Sequence, residues 1–232
     1  MSRIPEIIAH RGAPRECLEN TLASFARALD QRADGIELDV HATKDGVVVV
    51  HHDHTLLMTR DGVVAPVPIA DLMATEALSW PLSDGIPMPT LDAVCSLVGD
   101  QATVYVEVKA LGIEGPLIAC LNRHPGVRFA VHAFDHRVPV AVRAQRPETS
   151  IGLLSCSYPL SLDGFIGHAN VSALWQQTHL IDAALVADAH RLGVRVIAWT
   201  ENDISHARAL MALGVDALCT DTPSALRAAL EG

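Results

Sequence analysis

The chain has 232 residues, half of them hydrophobic, only 4% aromatic, with a formal net charge of -10 at pH 7. That length allows one large domain or two small ones, and a core built on Val, Leu, Ile and Ala suits parallel strands buried on both faces. The charge, with no basic stripe or Lys/Arg block, excludes a nucleic-acid binder, and no run of about twenty uncharged apolar residues offers a membrane-spanning helix.

The opening MSRIPEIIAHRG lacks the apolar region of a secretory signal. Five scattered cysteines without a C-x-x-C pair read as core thiols in a reducing compartment. A cytoplasmic globular protein is therefore expected. In chain order, strands are predicted at Glu6–His10, Gly35–Val40, Val47–His52, Thr103–Lys109, Arg128–Ala133, Ser150–Leu154, Val171–Trp175, Val194–Thr200 and Asp216–Thr220. Asn20 is predicted to cap a helix whose Leu22, Phe25, Ala26 and Leu29 share one face. Asp182 and Asp203 are predicted caps of two later helices, stopped by Gly193 and Gly214, and Thr222-Pro223 starts the last one. A helix, then Leu-Gly-Val, then a strand occurs twice, in RLGVRVIAWT and ALGVDALCTD. Ser155–Asn170 shows turn residues and no convincing helix.

Nine strands are one too many for an eight-strand barrel, and the second pair resolves the count. Asp45-Gly46 reads as a two-residue hairpin loop, so Val47–His52 returns antiparallel to the strand before it. Eight parallel strands remain. Together with the length and the β/α alternation they predict an α/β fold, a (β/α)8 TIM barrel carrying a β-hairpin after its second strand. An open doubly wound sheet is less consistent, because no glycine-rich phosphate loop follows the first strand. The Pro-, Gly- and polar-rich span at about 53–89, helical near Ile69–Leu78, reads as an insertion on the active-site face of a single domain covering 1–232.

Chemistry gathers at the C-terminal ends of the first three barrel strands, where barrels of this kind carry their sites. Glu37 and Asp39 lie two apart and so share a face. Counted back from the two-residue loop, Asp39 falls opposite His52. Buried carboxylates cost several kcal/mol each unless a cation is present, and oxygen donors suit a hard ion, Mg²⁺ or Ca²⁺. The alternative is that buried Arg or Lys neutralises them. Glu107 and Lys109 share a face in TVYVEVKA; Glu107 would complete a three-carboxylate set, with Lys109 either neutralising it or facing an anionic substrate. His10-Arg11-Gly12 ends the first strand, and the fork of Arg11 suits phosphate oxygens. His51 points to the face opposite His52, and a zinc site on His52 and His54 is a weaker use of the segment. Trp199 lines the mouth or caps the core. Asp221 reads as the start of a turn, and His132 and Asp135, near the end of the fourth barrel strand, could reach the mouth but receive no role.

The set resembles the glycerophosphodiester phosphodiesterase family. IIAHRGAPRECLENTLASFARAL, DGIELDVHATKDGVVVVHHDHTL, PTLDAV, VYVEVK, VRVIAWTEND and GVDALCTDTP come in the family's order across nearly the whole chain. The resemblance implies a metal-dependent barrel that cleaves a small-molecule glycerophosphodiester to glycerol 3-phosphate and an alcohol. It makes Glu37, Asp39 and Glu107 ligands of one divalent cation and His10 and His52 the acid–base pair. Arg11 and Lys109 would grip the phosphate, Trp199 would line the substrate side, and Glu19 of ENT would support the metal or orient Arg11. Met58, the Leu before Glu19, Ala133 and AWTEND depart from common family residues near the mouth and bear on the alcohol, not the reaction. Which histidine is the base stays open, as do direct attack by water against a cyclic phosphate, Mg²⁺ against Ca²⁺, and oligomeric state. Lysophospholipase D-type activity and a non-catalytic phosphate-ester-binding barrel are the rival readings.

Overall fold

The computed structural model describes residues 3–166 and 170–232. Eleven strands are present among them: β1 (Glu6–Ala9), β2 (Gly35–Ala42), β3 (Val48–Val50), β4 (Thr55–Arg60), β5 (Val63–Pro68), β6 (Thr103–Val108), β7 (Arg128–Ala133), β8 (Ser150–Ser155), β9 (Ala173–Gln177), β10 (Arg195–Trp199) and β11 (Ala217–Thr220). Strands β1, β2 and β6 to β11 pair in parallel, and β1 bonds both β11 and β2, so the sheet closes into an eight-strand barrel. The expected (β/α)8 architecture is the one observed. Inside it, Ile8, Tyr105, Trp175, Ile197 and Cys219 pack as one cluster. Neighbouring residues along the same strands, such as Ile7 and Leu218, point outward into apolar layers under the helices, as the period of two along a strand requires.

The helices are α1 (Leu22–Asp30), α2 (Ala74–Ser79), α3 (Leu91–Val98), α4 (Glu114–Arg123), α5 (Arg137–Gln145), α6 (Leu162–Ile166), α7 (Ala183–Arg191), α8 (Ile204–Leu213) and α9 (Pro223–Glu231). Asp182 and Asp203 cap α7 and α8 by accepting from Leu185 N and His206 N, and Pro223 opens α9 as its first residue. Gly193 and Gly214 follow α7 and α8 with φ of 73° and 89°, as predicted for stops. The first cap differs from expectation. Thr21, not Asn20, caps α1 by accepting from Ser24 N, and the buried face is Ser24, Phe25 and Ala28, leaving Leu22 exposed. Asn20 is taken up by the site described below. Helix α6 lies in the stretch where none was convincing; five residues are too few to display a period, and its Leu162 and Ile166 are buried one turn apart. The rest of that expectation, at 167–169, lies outside the described residues.

The hairpin between β2 and β3 is antiparallel as expected, but its register is one residue off. Thr43 N donates to Val47 O and Gly46 N to Thr43 O, so Lys44, Asp45 and Gly46 form a three-residue loop. Gly46, at φ 81°, supplies the left-handed residue such a loop needs. Val40 pairs with Val50, and Asp39 is therefore level with His51, whose N–H donates to its carbonyl at 3.0 Å. The return strand is also shorter than predicted, because Val50 N already bonds Pro89 O and the chain then leaves the sheet.

Residues 53–89 fold over the mouth. Strands β4 and β5 form a ribbon turning at Asp61-Gly62, both at positive φ. Asp-Gly between extended residues is a hairpin signal; here Pro66 and Pro68 mask it, being tolerated because a two-stranded ribbon is all edge. The expected helix at Ile69–Leu78 is split into a 3₁₀ turn, Ile69–Asp71, and α2. Leu56, Met58, Ile69, Leu72, Ala77 and Met88 bury together against Val49 of β3. No helix of the described residues is long and apolar enough to cross a membrane.

Candidate active site at the barrel mouth

The chain turns sharply out of β1. His10 N donates to Thr220 O at 2.9 Å, Arg11 has φ 54°, and Gly12 has φ 91°. A Cβ on Gly12 would lie 2.3 Å from Ser24 Oγ and 2.7 Å from the Ser24 backbone carbon. Only glycine fits both the conformation and the space. Gly12→Ala is accordingly expected to lose about 1–3 kcal/mol of stability, read as a lowered denaturant midpoint.

This turn aims Arg11 across the mouth. Its backbone N–H donates to Glu37 Oε2 at 3.1 Å, its Nη1 donates to Glu19 Oε1 at 2.8 Å, and its Nε lies 3.1 Å from Asp39 Oδ2. Glu19 thus orients Arg11. Asn20, bent into φ 56° and buried, donates from Nδ2 to Asp39 Oδ2 at 2.8 Å and accepts from Asp39 N at 3.3 Å. Sequence reasoning missed this second half of the ENT motif, reading its asparagine as a cap.

The carboxylates of β2 and β6 come together because Asp39 and Glu107 are register partners. Lys109 Nζ donates to Glu107 Oε1 at 2.7 Å and lies 3.4 Å from Asp39 Oδ1. One oxygen each of Glu37 and Glu107 and a ring nitrogen of His132 lie within 4.8 Å of one another. Asp39 faces the cations instead. His132, on β7, stacks on Trp175 with ring centroids 4.0 Å apart; burial pushes its imidazole down to about 3, which keeps it neutral and fit to be a donor.

Charge is unevenly met here. Burial, then the charges of Asp39 and Glu107, push Glu37 well above the usual carboxylate range. Burial also raises Glu107, with Asp39 adding to it and Lys109 opposing. Burial works against Asp39 too, but Arg11, Lys109 and Asn20 outweigh it and hold that carboxyl below its usual range. Asp39 Oδ1 accepts no hydrogen bond among the described residues. Three acids, Glu37 and Asp39 buried and Glu107 largely so, meet two cations, and one carboxylate oxygen is left without a hydrogen bond among the described residues. That donor set fits a hard divalent ion.

Two imidazoles flank the carboxylates. His10 Nδ1 lies 2.7 Å from Asp221 Oδ1, and Asp221 is itself held by Asn202 Nδ2 and bonded through its N–H to Asn202 Oδ1, both at 2.8 Å. Burial opposes the Asp221 charge, but the bonds to His10 and Asn202 outweigh it and lower its pKa. An ionised Asp221 only accepts, so Nδ1 of His10 is the donor in this contact and Nε2 is left free of it. Asp221 was read from the sequence as a turn residue; barrel closure, which sets the end of β11 beside the end of β1, is what brings it to His10. Asp221→Asn is expected to lower kcat by about 10-fold or more with little change in KM, measured by steady-state kinetics.

His52 Nδ1 lies 2.8 Å from Asp53 Oδ1. His41 Nε2 donates to the His52 carbonyl at 3.2 Å and so pins the turn after β3. Because the chain leaves the sheet at Val50, His51 does not point away from His52 as expected. Both line a cleft of about 410 Å³ between the Leu18–Asn20 loop and the insertion, walled by Leu56, Leu57, Trp80 and Leu82. On another side of the mouth, Trp199 stands edge-on to the exposed Phe134, centroids 5.5 Å apart. Asp135 pairs with Arg137 at the surface, on the rim of a cleft it shares with Glu107 and Lys109.

A closed β/α barrel whose mouth gathers acids, an Arg–Lys pair and two carboxylate-bound imidazoles defines an enzyme built for an anionic ester. The chain matches the family model described as the glycerophosphoryl diester phosphodiesterase family over residues 10–225. It is 32% identical over 238 residues to a glycerophosphodiester phosphodiesterase of Caldanaerobacter subterraneus subsp. tengcongensis, covering 95% of each chain. Its fold matches an Oleispira antarctica phosphodiesterase solved in complex with the product sn-glycerol-3-phosphate, at TM-score 0.86 and 27% identity over 99% of this chain and 98% of that one. The Thermotoga maritima glycerophosphodiester phosphodiesterase matches at TM-score 0.82 and 25% identity over 98% and 99%. This chain belongs to the glycerophosphoryl diester phosphodiesterase family. It is a phosphoric diester hydrolase.

Proposed function

We propose that the chain, as one barrel domain with its insertion at 53–89, hydrolyses small glycerophosphodiesters in a metal-dependent reaction, giving glycerol 3-phosphate and an alcohol. The carrying observation is the surplus of buried carboxylate at the mouth beside Arg11 and Lys109. The product bound by the Oleispira relative supports the same substrate class. Glu37, Asp39 and Glu107 would hold one Mg²⁺ or Ca²⁺, with His132 as a further donor, and the ion supplies charge neutralisation for the phosphoryl oxygens when bound. Arg11, steered by Glu19, and Lys109 bind the phosphate. His10 and His52 present Nε2 on either side, one taking a proton from the nucleophile and the other protonating the leaving alkoxide. His10, more firmly held, suits the base. Trp199 walls the substrate side, and a cytoplasmic place in lipid and glycerol metabolism fits the cysteine usage.

The test is glycerol 3-phosphate release from glycerophosphocholine and glycerophosphoethanolamine by metal-stripped protein, with Mg²⁺, Ca²⁺, Mn²⁺ or Zn²⁺ added singly. Release only with an ion is expected; undiminished release in excess chelator overturns the metal dependence. The cleft beside His52 would take the alcohol. Its apolar wall also favours a second reading, cleavage of lysophospholipids, which faster turnover of lysophosphatidylcholine than of glycerophosphocholine would establish.

A further inference from the structure

We propose that Cys95, Cys120 and His124 form a second metal site, of zinc type, on the outer helical layer between α3 and α4. The two sulfurs and a ring nitrogen of His124 lie within 4.8 Å of one another. Tetrahedral Zn²⁺ with bonds of about 2.3 Å to sulfur needs donor spacings of about 3.8 Å, a side-chain adjustment away. Helical spacing makes the grouping. Asp92 and Cys95 stand three apart on α3, and Cys120 stands four before His124, the residue that closes α4, so each pair shares a face. Both segments are fixed: Thr90 caps α3 by accepting from Ala93 N, and His124 N donates to Leu121 O.

A pair of close thiols alone would equally suit a disulfide. What favours a metal is the convergence of a third and a fourth donor, of two further types, on the same point. His124 Nε2 lies 2.8 Å from Asp92 Oδ1, so a carboxylate is at hand to complete the set or to orient the imidazole, as metal-bound histidines require. Asp92 is in turn clamped by Arg123, whose Nε and Nη2 donate to its two oxygens at 2.9 and 2.6 Å. Charge balances as well. Two thiolates cancel a divalent ion and Arg123 cancels Asp92, so the loaded site is neutral and its burial is tolerable. Both cysteines are buried, and His124 is the partly exposed side through which an ion enters. Thiolate and imidazole select zinc over the hard ions suited to the barrel mouth. The two sites therefore sort different metals within one chain.

Cobalt distinguishes them, since only thiolate ligation gives a sulfur-to-cobalt charge-transfer absorption. The full chain, reduced and metal-stripped, is titrated with Co²⁺ in excess Mg²⁺. One equivalent is expected to develop that absorption, one equivalent of Zn²⁺ to remove it, and the Cys95→Ser, Cys120→Ser double variant to lack it. His124→Ala, which leaves the buried thiols in place and so tests the site in a folded protein, is expected to weaken cobalt binding by about 10-fold or more. It should leave diesterase turnover unchanged, so this result is independent of the reaction proposed at the mouth. No charge-transfer absorption in the reduced protein overturns the proposal. So does an absorption that survives in the double-serine variant, or a Cys95–Cys120 disulfide found by peptide mapping of the protein as purified from cells.

Discussion

Turnover of glycerophosphodiesters is expected to fall by about 10²-fold or more in His52→Ala, and by a similar factor in His10→Ala. An alkoxide leaves poorly at neutral pH, so the reaction needs a proton donor on one side of the phosphorus and an acceptor on the other. Both imidazoles have Nδ1 turned onto a carboxylate, which leaves Nε2 as the atom each would use in the proposed reaction. Their partners differ. Asp221 is half-buried and tied twice to Asn202, whereas Asp53 is mostly exposed, and the His41 bond to the His52 carbonyl steadies that residue through the backbone. His10 is thus a fixed group and His52 an adjustable one, beside the cleft proposed to take the alcohol. The losses should appear in kcat with KM little moved, because neither ring is needed to hold the phosphate. The double variant should be far less impaired than the product of the two single losses, since the two act as a unit. Near-normal kcat in purified His52→Ala would remove that residue from the chemistry.

Where the sequence was legible, short-range periodicity carried the information. Alternation along a strand set Glu37 beside Asp39 and Glu107 beside Lys109, and parallel pairing then made Asp39 and Glu107 neighbours without further assumption. The hairpin went wrong by one residue because Asp-Gly permits both a two-residue loop and a three-residue loop closed by a left-handed glycine. The choice rests on Thr43, whose N–H and hydroxyl engage Val47 O and Asp45 Oδ1. Asn20 illustrates another limit. A residue ahead of a helix is usually a cap, and only the tertiary placement of Asp39, nineteen positions on, redirects its amide. Asp221 and His10 are 211 positions apart, yet a closed barrel makes their strands adjacent. The signal lies in the topology of a closed barrel, not in the residues around Asp221. The strand-end position of His132 signals only that it can reach the mouth; its neutrality comes from burial, stacked on Trp175.

Metal affinity at the mouth is expected to rise with pH, and the metal-free protein to lose stability over the same range. Burial and the neighbouring charges of Asp39 and Glu107 raise Glu37 well above its unfolded value, and Glu107 moves the same way. An incoming cation must displace the protons these groups hold, so binding releases protons and tightens until both acids are ionised. Folding runs in the opposite sense. The native state binds more protons than the unfolded chain between the ordinary carboxylate pKa and the raised one, so the contribution is complete at the acid end and disappears as pH rises through the native value. Calorimetry at a series of pH values should therefore show the metal-free melting temperature falling through this window and Mg²⁺ or Ca²⁺ restoring it increasingly. Glu37→Gln removes the titrating group and a proposed ligand together. It should flatten the Glu37 part of the pH dependence, weaken metal binding by about 100-fold or more, beyond the loss typical of an outer-shell partner, and reduce turnover accordingly. A pH-independent affinity in the native protein would mean that Glu37 is already ionised without a cation, paired with Arg11 strongly enough that no ion is called for. The buried acids would then be read as a charge network holding Arg11 rather than as a metal site.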